Sequence, residues 1–377
     1  MDWETPARHL AAEVVRPESR WSGPLATTPR HVFVPRWWAR GTEAWELQDG
    51  PSDPEAWMRA VYQDRTLVTR VGAVHADHAE PGATVSAGLP TSSSTLPGLV
   101  VTMYRHAMIA DTSRVLVTTG TGYGTALLCR RLGDQLVTSI DVDPHLVKTA
   151  AERLDAIGLH PHTAVCDITG PLSGEHDRIV STVSVRTVPA SWLAALRPGG
   201  RLVTTLAGTG LVVTADKTDD GGAVGRVEPD PAGFMRTRHG DDYERPTDEL
   251  WEKVQQADGE HVSTSRYPLL SVPDSWEVMS MLELLAPGID HRVTQDGDER
   301  TVWMLHPDGS WARAAAAGFL DSPTVHQGGP RRLWDVLERI RHRLNREGGL
   351  PVYGARVRIA PDGALTVSRG SWSVTVS

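Results

Sequence analysis

Apolar runs and helix-period stripes alternate most regularly between residues 113 and 206. Val115-Leu116-Val117 is a short β-prone run, 118–124 is a loop carrying Gly120, Gly122 and Gly124, and 125–132 holds helix-forming apolar residues. A second strand over 136–140 ends on Asp141, and Pro144 opens a helix to 157 with Leu146, Val147, Ala150, Ala151 and Leu154 as its stripe and Gly158 as its stop. Strands are predicted at 163–166, ending at Asp167, at 178–182 and at 201–206, with a helix over 190–196 before the last. Strand-helix alternation of this kind predicts an α/β fold, a Rossmann-like doubly wound parallel sheet with ligands at the carboxyl ends of its strands.

The pattern is looser on either side. Residues 7–15 suit a short amphipathic helix, 28–38 an extended stretch bounded by prolines, 41–53 a polar surface wrap and 72–90 a loop rich in Ala, Gly and Pro. A helix is expected over 98–110, burying Leu99, Val100, Met103, Tyr104 and Met108. From 210 to 239 short strands alternate with acidic, Gly-rich turns, consistent with antiparallel strands completing the sheet, and the polar run 240–247 marks a boundary. Beyond it come helices at 248–256 and 275–285, a hairpin of 300–306 with 309–315, and a run of strands over 351–377. The helix over 330–346 carries Leu333, Leu337, Ile340 and Leu344 on one face, with arginines elsewhere as a solvated surface. The chain therefore divides into 1–112, a core 113–244, and an additional α+β domain over 245–377.

Composition narrows the partners. A formal charge of −9 over 377 residues argues against a nucleic-acid partner, which needs a basic face. With only Cys129 and Cys166, buried free thiols in a reducing compartment are expected. Nowhere do about 18 uninterrupted apolar residues occur, so no membrane span is predicted and the cytoplasm is the expected location. His75, Asp77 and His78 have ligand chemistry, but they fall on a loop without other ligands, and no metal is assigned.

Candidate chemistry lies at three successive strand ends. Glycines in the first turn let a ligand approach the backbone, a carboxylate about 20 residues on suits ribose hydroxyls, and Asp167 lies at the next strand end, placed for an adenine amino group. Each acid alone is more often a loop cap than a ligand; the trio is more specific. The spacing is GxGxG, where a nicotinamide dinucleotide loop reads GxGxxG, and no GxxxxGK[ST] lysine is present for ATP. S-adenosylmethionine needs ribose and adenine contacts without a phosphate cradle. The candidate donor-binding set is Thr119, Gly120, Thr121, Gly122, Tyr123, Asp141 and Asp167, completed by Val142, Ile168 and Thr182.

Several motifs resemble the protein L-isoaspartyl O-methyltransferase family, in order, over roughly the first 240 residues: PRHVFVP at 29–35, YQDRTL at 62–67, SSTLP at 93–97, TGTGY at 119–123, and VP at 188–189 followed by LRPGGRLV at 196–203. Val117 and Thr118 depart from the acid and glycine usual before the family's donor loop, which here is one residue short. Segment 72–90 reads as an insertion, and the region after 245 as an addition to the family's repair enzymes. VHQGGPRRLWDVLE and GARVRIAPDG resemble the branch encoded with ribosomally made, modified peptides.

The resemblance implies a class I methyltransferase fold and methyl transfer from S-adenosylmethionine to an aspartate carboxylate of a modified precursor peptide, a lanthipeptide or an ATP-grasp-crosslinked peptide. The ester would then close to a succinimide by attack of the following backbone nitrogen with loss of methanol, and the product would either stay as the succinimide or open by hydrolysis to isoaspartate. It implies that Ser93 and Thr95, with Ser94 beside them, hold the carboxylate; the same residues suit an N-cap for the helix at 98. A carboxylate is ionised at neutral pH, so catalysis is mainly alignment and desolvation. A repair enzyme acting on isoaspartyl proteins, a silent module binding donor or peptide, and a nicotinamide oxidoreductase are the competing readings.

Overall fold

The computed structural model describes residues 2–318 and 320–376. Its centre is a ten-stranded sheet. Five strands are parallel: β1 (Val115–Thr118), β2 (Val137–Asp141), β3 (His162–Val165), β4 (His176–Val185) and β5 (Leu196–Leu206). They lie in the order β3-β2-β1-β4-β5. All four residues of β1 are buried, as expected for a strand covered on both faces. The order reverses between β1 and β4, and a crevice opens at such a switch point. The doubly wound sheet is thus as expected.

Helix α1 (Pro97–His106) precedes β1, and α2 (Tyr123–Leu132) and α3 (Pro144–Asp155) follow β1 and β2. Proline and a capping Asp143, whose carboxylate accepts from the His145 amide at 3.0 Å, start α3. The helix expected to run to 110 stops at His106: Met108 has φ 51° and is 64 % exposed, so its apolar side chain belongs to a turn and not to the stripe.

Antiparallel strands continue the sheet beyond β5: β6 (Val212–Lys217), β7 (Ala223–Val227), and then, from the end of the chain, β8 (Arg356–Ile359), β9 (Leu365–Arg369) and β10 (Trp372–Val376). The pairing of β7 with β8 runs from Ala223 opposite Ile359 to Arg226 opposite Arg356. The chain after 245 therefore does not stand apart as expected. Trp334, Leu337 and Ile340 of α4 (Leu333–Glu347) share one buried core with Ile179, Trp192 and Leu202. The strand run expected to reach Ser377 is seen to Val376; Ser377 lies outside the described residues.

Two smaller sheets flank this body. Strands Arg36–Arg40, Trp45–Asp49, Leu67–Val71, Val74–His75, Thr84–Val85 and Pro90–Ser94 form one, so the expected wrap at 41–53 and loop at 72–90 both contain paired backbone. The stretch expected to be extended instead contains a helical turn, Arg30–Phe33, at whose start Arg30 is turned inward to bond with distant carbonyls. The other small sheet lies between 261 and 328 and contains the expected hairpin, Glu299–Leu305 with Trp311–Ala316. Among the described residues no helix is long and apolar enough to cross a membrane.

Candidate active site

At the carboxyl ends of β1, β2 and β4 lies a cavity of about 200 Å³. Segment 233–238 lies over it, held to the end of β4 by Ser184, whose amide donates to Met235 O (2.8 Å) and whose carbonyl accepts from the Thr237 amide (3.0 Å). Sequence reasoning missed this roof; the apolar pair Phe234-Met235 within a polar stretch is its only signal. The cavity brings together Ser93, Thr95, Gly120, Asp141, Val142, Asp167, Ile168 and Thr182. Ser94, Thr119, Thr121 and Tyr123 lie behind the loop around a void of about 30 Å³. Gly122 touches neither; it is the N-cap of α2.

Local chemistry fixes the glycine loop. Gly120 and Gly122 have φ of 52° and 91°, and a Cβ on Gly122 would come within 2.9 Å of the Ala150 methyl and 3.3 Å of the Phe33 ring. The Gly120 amide donates to Asp141 Oδ2 (3.0 Å), the Thr119 amide to Ile140 O and the Gly122 amide to Thr119 O (both 2.9 Å). Buried hydroxyls of Thr119 and Thr125 both meet Ser139 Oγ, at 2.7 and 2.8 Å. Those three amides are engaged internally, unlike a loop built to cradle phosphate. The departure at Thr118 also has a partner, since Thr118 Oγ1 meets Thr182 Oγ1 at 2.7 Å and accepts from the Thr182 amide at 2.8 Å, tying β1 to β4.

Asp141 also accepts from the Asp143 amide at 3.1 Å. Burial raises its pKa, and those amides only partly offset the effect. Asp167 is partly a loop cap: Oδ1 accepts from the amide and hydroxyl of Thr169 (2.8 and 2.7 Å), and Oδ2 lies 3.2 Å from the exposed His239. Val142 is exposed at the rim; Ile168 is buried and its carbonyl accepts from Trp192 Nε1 at 2.7 Å.

The hydroxyl-rich turn does not cap α1. Asp64 performs that task, accepting from the Gly98 amide at 2.7 Å, while Thr66 Oγ1 accepts from the Leu96 amide at 3.1 Å. Among the described residues, the Ser93 and Thr95 hydroxyls have no hydrogen-bond partner in the protein and both line the cavity. Ser94 faces the other way, its Oγ accepting from Arg30. Arg30 is fully buried and donates to the carbonyls of Val61, Gln63 and Arg65 at 2.8 to 2.9 Å and to those of Ser94 and Thr95 at 3.3 Å. Its guanidinium also lies 5.5 Å from the centre of the Tyr123 ring. Burial brings its pKa down to about 10, leaving it charged at neutral pH. Sequence reasoning quoted Arg30 in a motif without giving it a role; an arginine inside an apolar run was the available signal.

Asp143 gathers His75 (3.1 Å), Arg238 (3.2 Å) and Arg70 (3.6 Å). Burial opposes its charge, but these groups hold its carboxyl below the usual range. His75 and the 72–90 segment are thereby fastened to the core, with Asp77 accepting from Arg153 at 2.9 Å. Among the described residues no three His, Cys, Asp or Glu side chains converge as a metal site.

The model of the family Protein-L-isoaspartate(D-aspartate) O-methyltransferase (PCMT) matches residues 59–229. Protein-L-isoaspartate O-methyltransferase of Parvibaculum lavamentivorans is 30% identical over 171 residues, which cover 42% of this chain and 71% of that protein. Protein-L-isoaspartate O-methyltransferase 1 of Anaeromyxobacter sp. is 34% identical over 133 residues, 33% of this chain and 62% of that protein. The Thermotoga maritima protein of the same name is 29% identical over 117 residues, 30% of this chain and 37% of that protein. The match thus spans less than two thirds of the latter two relatives. A solved protein-L-isoaspartate O-methyltransferase covers 99% of this chain and 98% of its own at 16% identity and TM-score 0.47.

Proposed function

The chain belongs to the protein-L-isoaspartate (D-aspartate) O-methyltransferase family, and from that premise we propose that it is an S-adenosylmethionine-dependent O-methyltransferase of side-chain carboxylates in proteins or peptides. The central sheet is the class I methyltransferase fold of that family. The observation that supports the reading is the pair of unpartnered hydroxyls, Ser93 and Thr95, sharing one cavity with Asp141 and Gly120. The donor site fits a nucleoside without phosphates: the loop amides are engaged, Gly120 has no Cβ, and the Asp141 carboxylate retains lone pairs for ribose hydroxyls. Asp167 and Ile168 suit the base, and Thr182 walls the site. Bound there, S-adenosylmethionine supplies a methyl group activated by its sulfonium.

Ser93 and Thr95 donate hydrogen bonds to the substrate carboxylate and fix the oxygen that is methylated. Arg30 holds the turn that bears them, and segment 233–238 keeps water from the site. Alignment and desolvation are enough, because the carboxylate is already ionised. Replacing either Ser93 or Thr95 by alanine is expected to lower kcat about 10- to 100-fold, since one hydrogen bond to a charged group contributes about 1.5–3 kcal/mol. Donor affinity should stay within about twofold in either variant, because neither hydroxyl contacts the donor's ribose carboxylate site. Unchanged kcat would remove the role.

The relatives carry the isoaspartate name, so a linear isoaspartyl peptide is the first substrate, and repair the first biological role. The second reading is maturation of a pre-cyclised, ribosomally made peptide, whose aspartyl ester closes to succinimide. It is favoured by a wide groove of about 760 Å³ beside the cavity, formed partly by 283–292, outside the residues that match the family. Incubation of both peptides with S-adenosylmethionine, read by mass spectrometry for methyl gain and then methanol loss, separates the readings. Gain on the linear isoaspartyl peptide alone supports repair; gain on the cyclic aspartyl peptide alone supports maturation. Gain on neither, with donor bound, overturns methyl transfer in favour of a binding module.

A further inference from the structure

The groove beside the cavity shares Arg236 and Thr237 with it, so the two form one continuous depression. At about 760 Å³ it is within the roughly 300–1,000 Å³ range of pockets for extended small ligands. It is lined by arginines from four separate stretches of chain: Arg40, Arg186, Arg236 and Arg245. All four are exposed, in a protein of net charge −9. Arg40 and Arg236 rest against Trp45 and Tyr243, which orient the guanidinium planes without neutralising them. Among the described residues, Arg186 and Arg245 have no ion-pair partner within 4.0 Å.

The acids in the groove are largely engaged. Asp248 and Asp290 both pair with Arg292, and Asp290 also accepts from Thr247 at 2.7 Å. Glu283 accepts the Gly288 amide with both oxygens at 3.1 Å. Glu283 also lies near Arg186 and Arg236, and Glu244 lines the same groove. The lining keeps an excess of arginines over carboxylates, two of them, Arg186 and Arg245, without an ion-pair partner among the described residues, and positive charge beside a carboxylate-binding site attracts more negative charge.

We propose that this groove binds the segment of the substrate polypeptide flanking the methylated residue, and selects segments that carry additional aspartates or glutamates. The inference rests on the methyltransferase reading, since that reading puts a polypeptide carboxylate in the adjoining cavity. Planar guanidiniums from different elements give carboxylates bidentate partners, and exposed pairs are individually weak, so selection comes from several acting together.

The test uses fluorescence anisotropy with the full chain and labelled synthetic peptides, each with a central Asp-Gly and flanks of glutamate, glutamine or lysine. The glutamate-flanked peptide should bind about tenfold tighter than the glutamine-flanked one at low salt, a preference that fades once the screening length falls to about 3 Å at 1 M salt. In the variant combining Arg186→Glu and Arg245→Glu the preference should reverse toward the lysine flanks, and the milder Arg186→Gln with Arg245→Gln should bring the ratio of glutamate to glutamine binding near one. Equal binding of glutamate and glutamine flanks by the unaltered protein, or an unchanged preference in both variants with donor binding intact, would overturn the proposal. Binding is read without turnover, so failure of methyl transfer to every peptide removes the proposed reaction independently of the groove.

Discussion

Replacing Asp141 by alanine is expected to weaken donor binding about a hundredfold, near 2.7 kcal/mol, because charged acceptors contribute about 1.5–3 kcal/mol per hydrogen bond. The carboxylate accepts from the Gly120 and Asp143 amides, so its removal also unpins the turn over which the donor lies. Titration calorimetry with S-adenosylhomocysteine reads the loss; an affinity within threefold of the unaltered protein would contradict the assignment. A pH dependence follows with a definite sign. Burial raises the Asp141 pKa above its ordinary value, so the charged, accepting form is lost as pH falls through that raised value. Donor affinity should therefore decline as pH falls, and should do so at a higher pH than an ordinary aspartate would impose. Asp143 stays ionised through that window, because His75 and its other partners lower its pKa despite burial.

The second large effect concerns stability. Arg30→Met is expected to cost about 3–5 kcal/mol, since removing a buried cation leaves buried acceptors without donors. Five carbonyls from two segments lose their partner at once. Arg30→Lys keeps the charge but not the planar fork, and should recover only part of the loss. Urea unfolding measures both, and a midpoint for Arg30→Met equal to that of the unaltered protein would show that the clamp carries no stability. Because Ser94 and Thr95 hang from this clamp, methyl transfer should also fall in Arg30→Lys under conditions where it remains folded.

Features legible in the sequence are those whose cause is local. Alternating apolar runs produce β1 to β5, the glycines produce the positive-φ turn, and acids at strand ends project into the crevice. Features that escaped it depend on partners far along the chain. The acceptors of Arg30 are backbone carbonyls, which every residue possesses, so no side-chain pattern marks them. The hydroxyl-rich turn looked equally like a helix cap, and only the approach of Asp64 to Gly98 frees Ser93 and Thr95 from that task. Met108 continued the apolar stripe by spacing, yet it lies past the end of α1. The pairing of β7 with β8 left no trace either, since an edge strand and an inner strand differ in neighbours more than in composition.

That last pairing bears on biosynthesis. Ala223 and Arg356 are roughly 130 positions apart, so β7 leaves the ribosome on the order of ten seconds before its neighbour exists, at about 5–20 residues per second. For that interval the nascent chain carries a bare strand edge, the template on which chains stick to one another. Premature termination between β7 and β8 therefore yields a sticky fragment, and chaperones have a defined window in which to shield it.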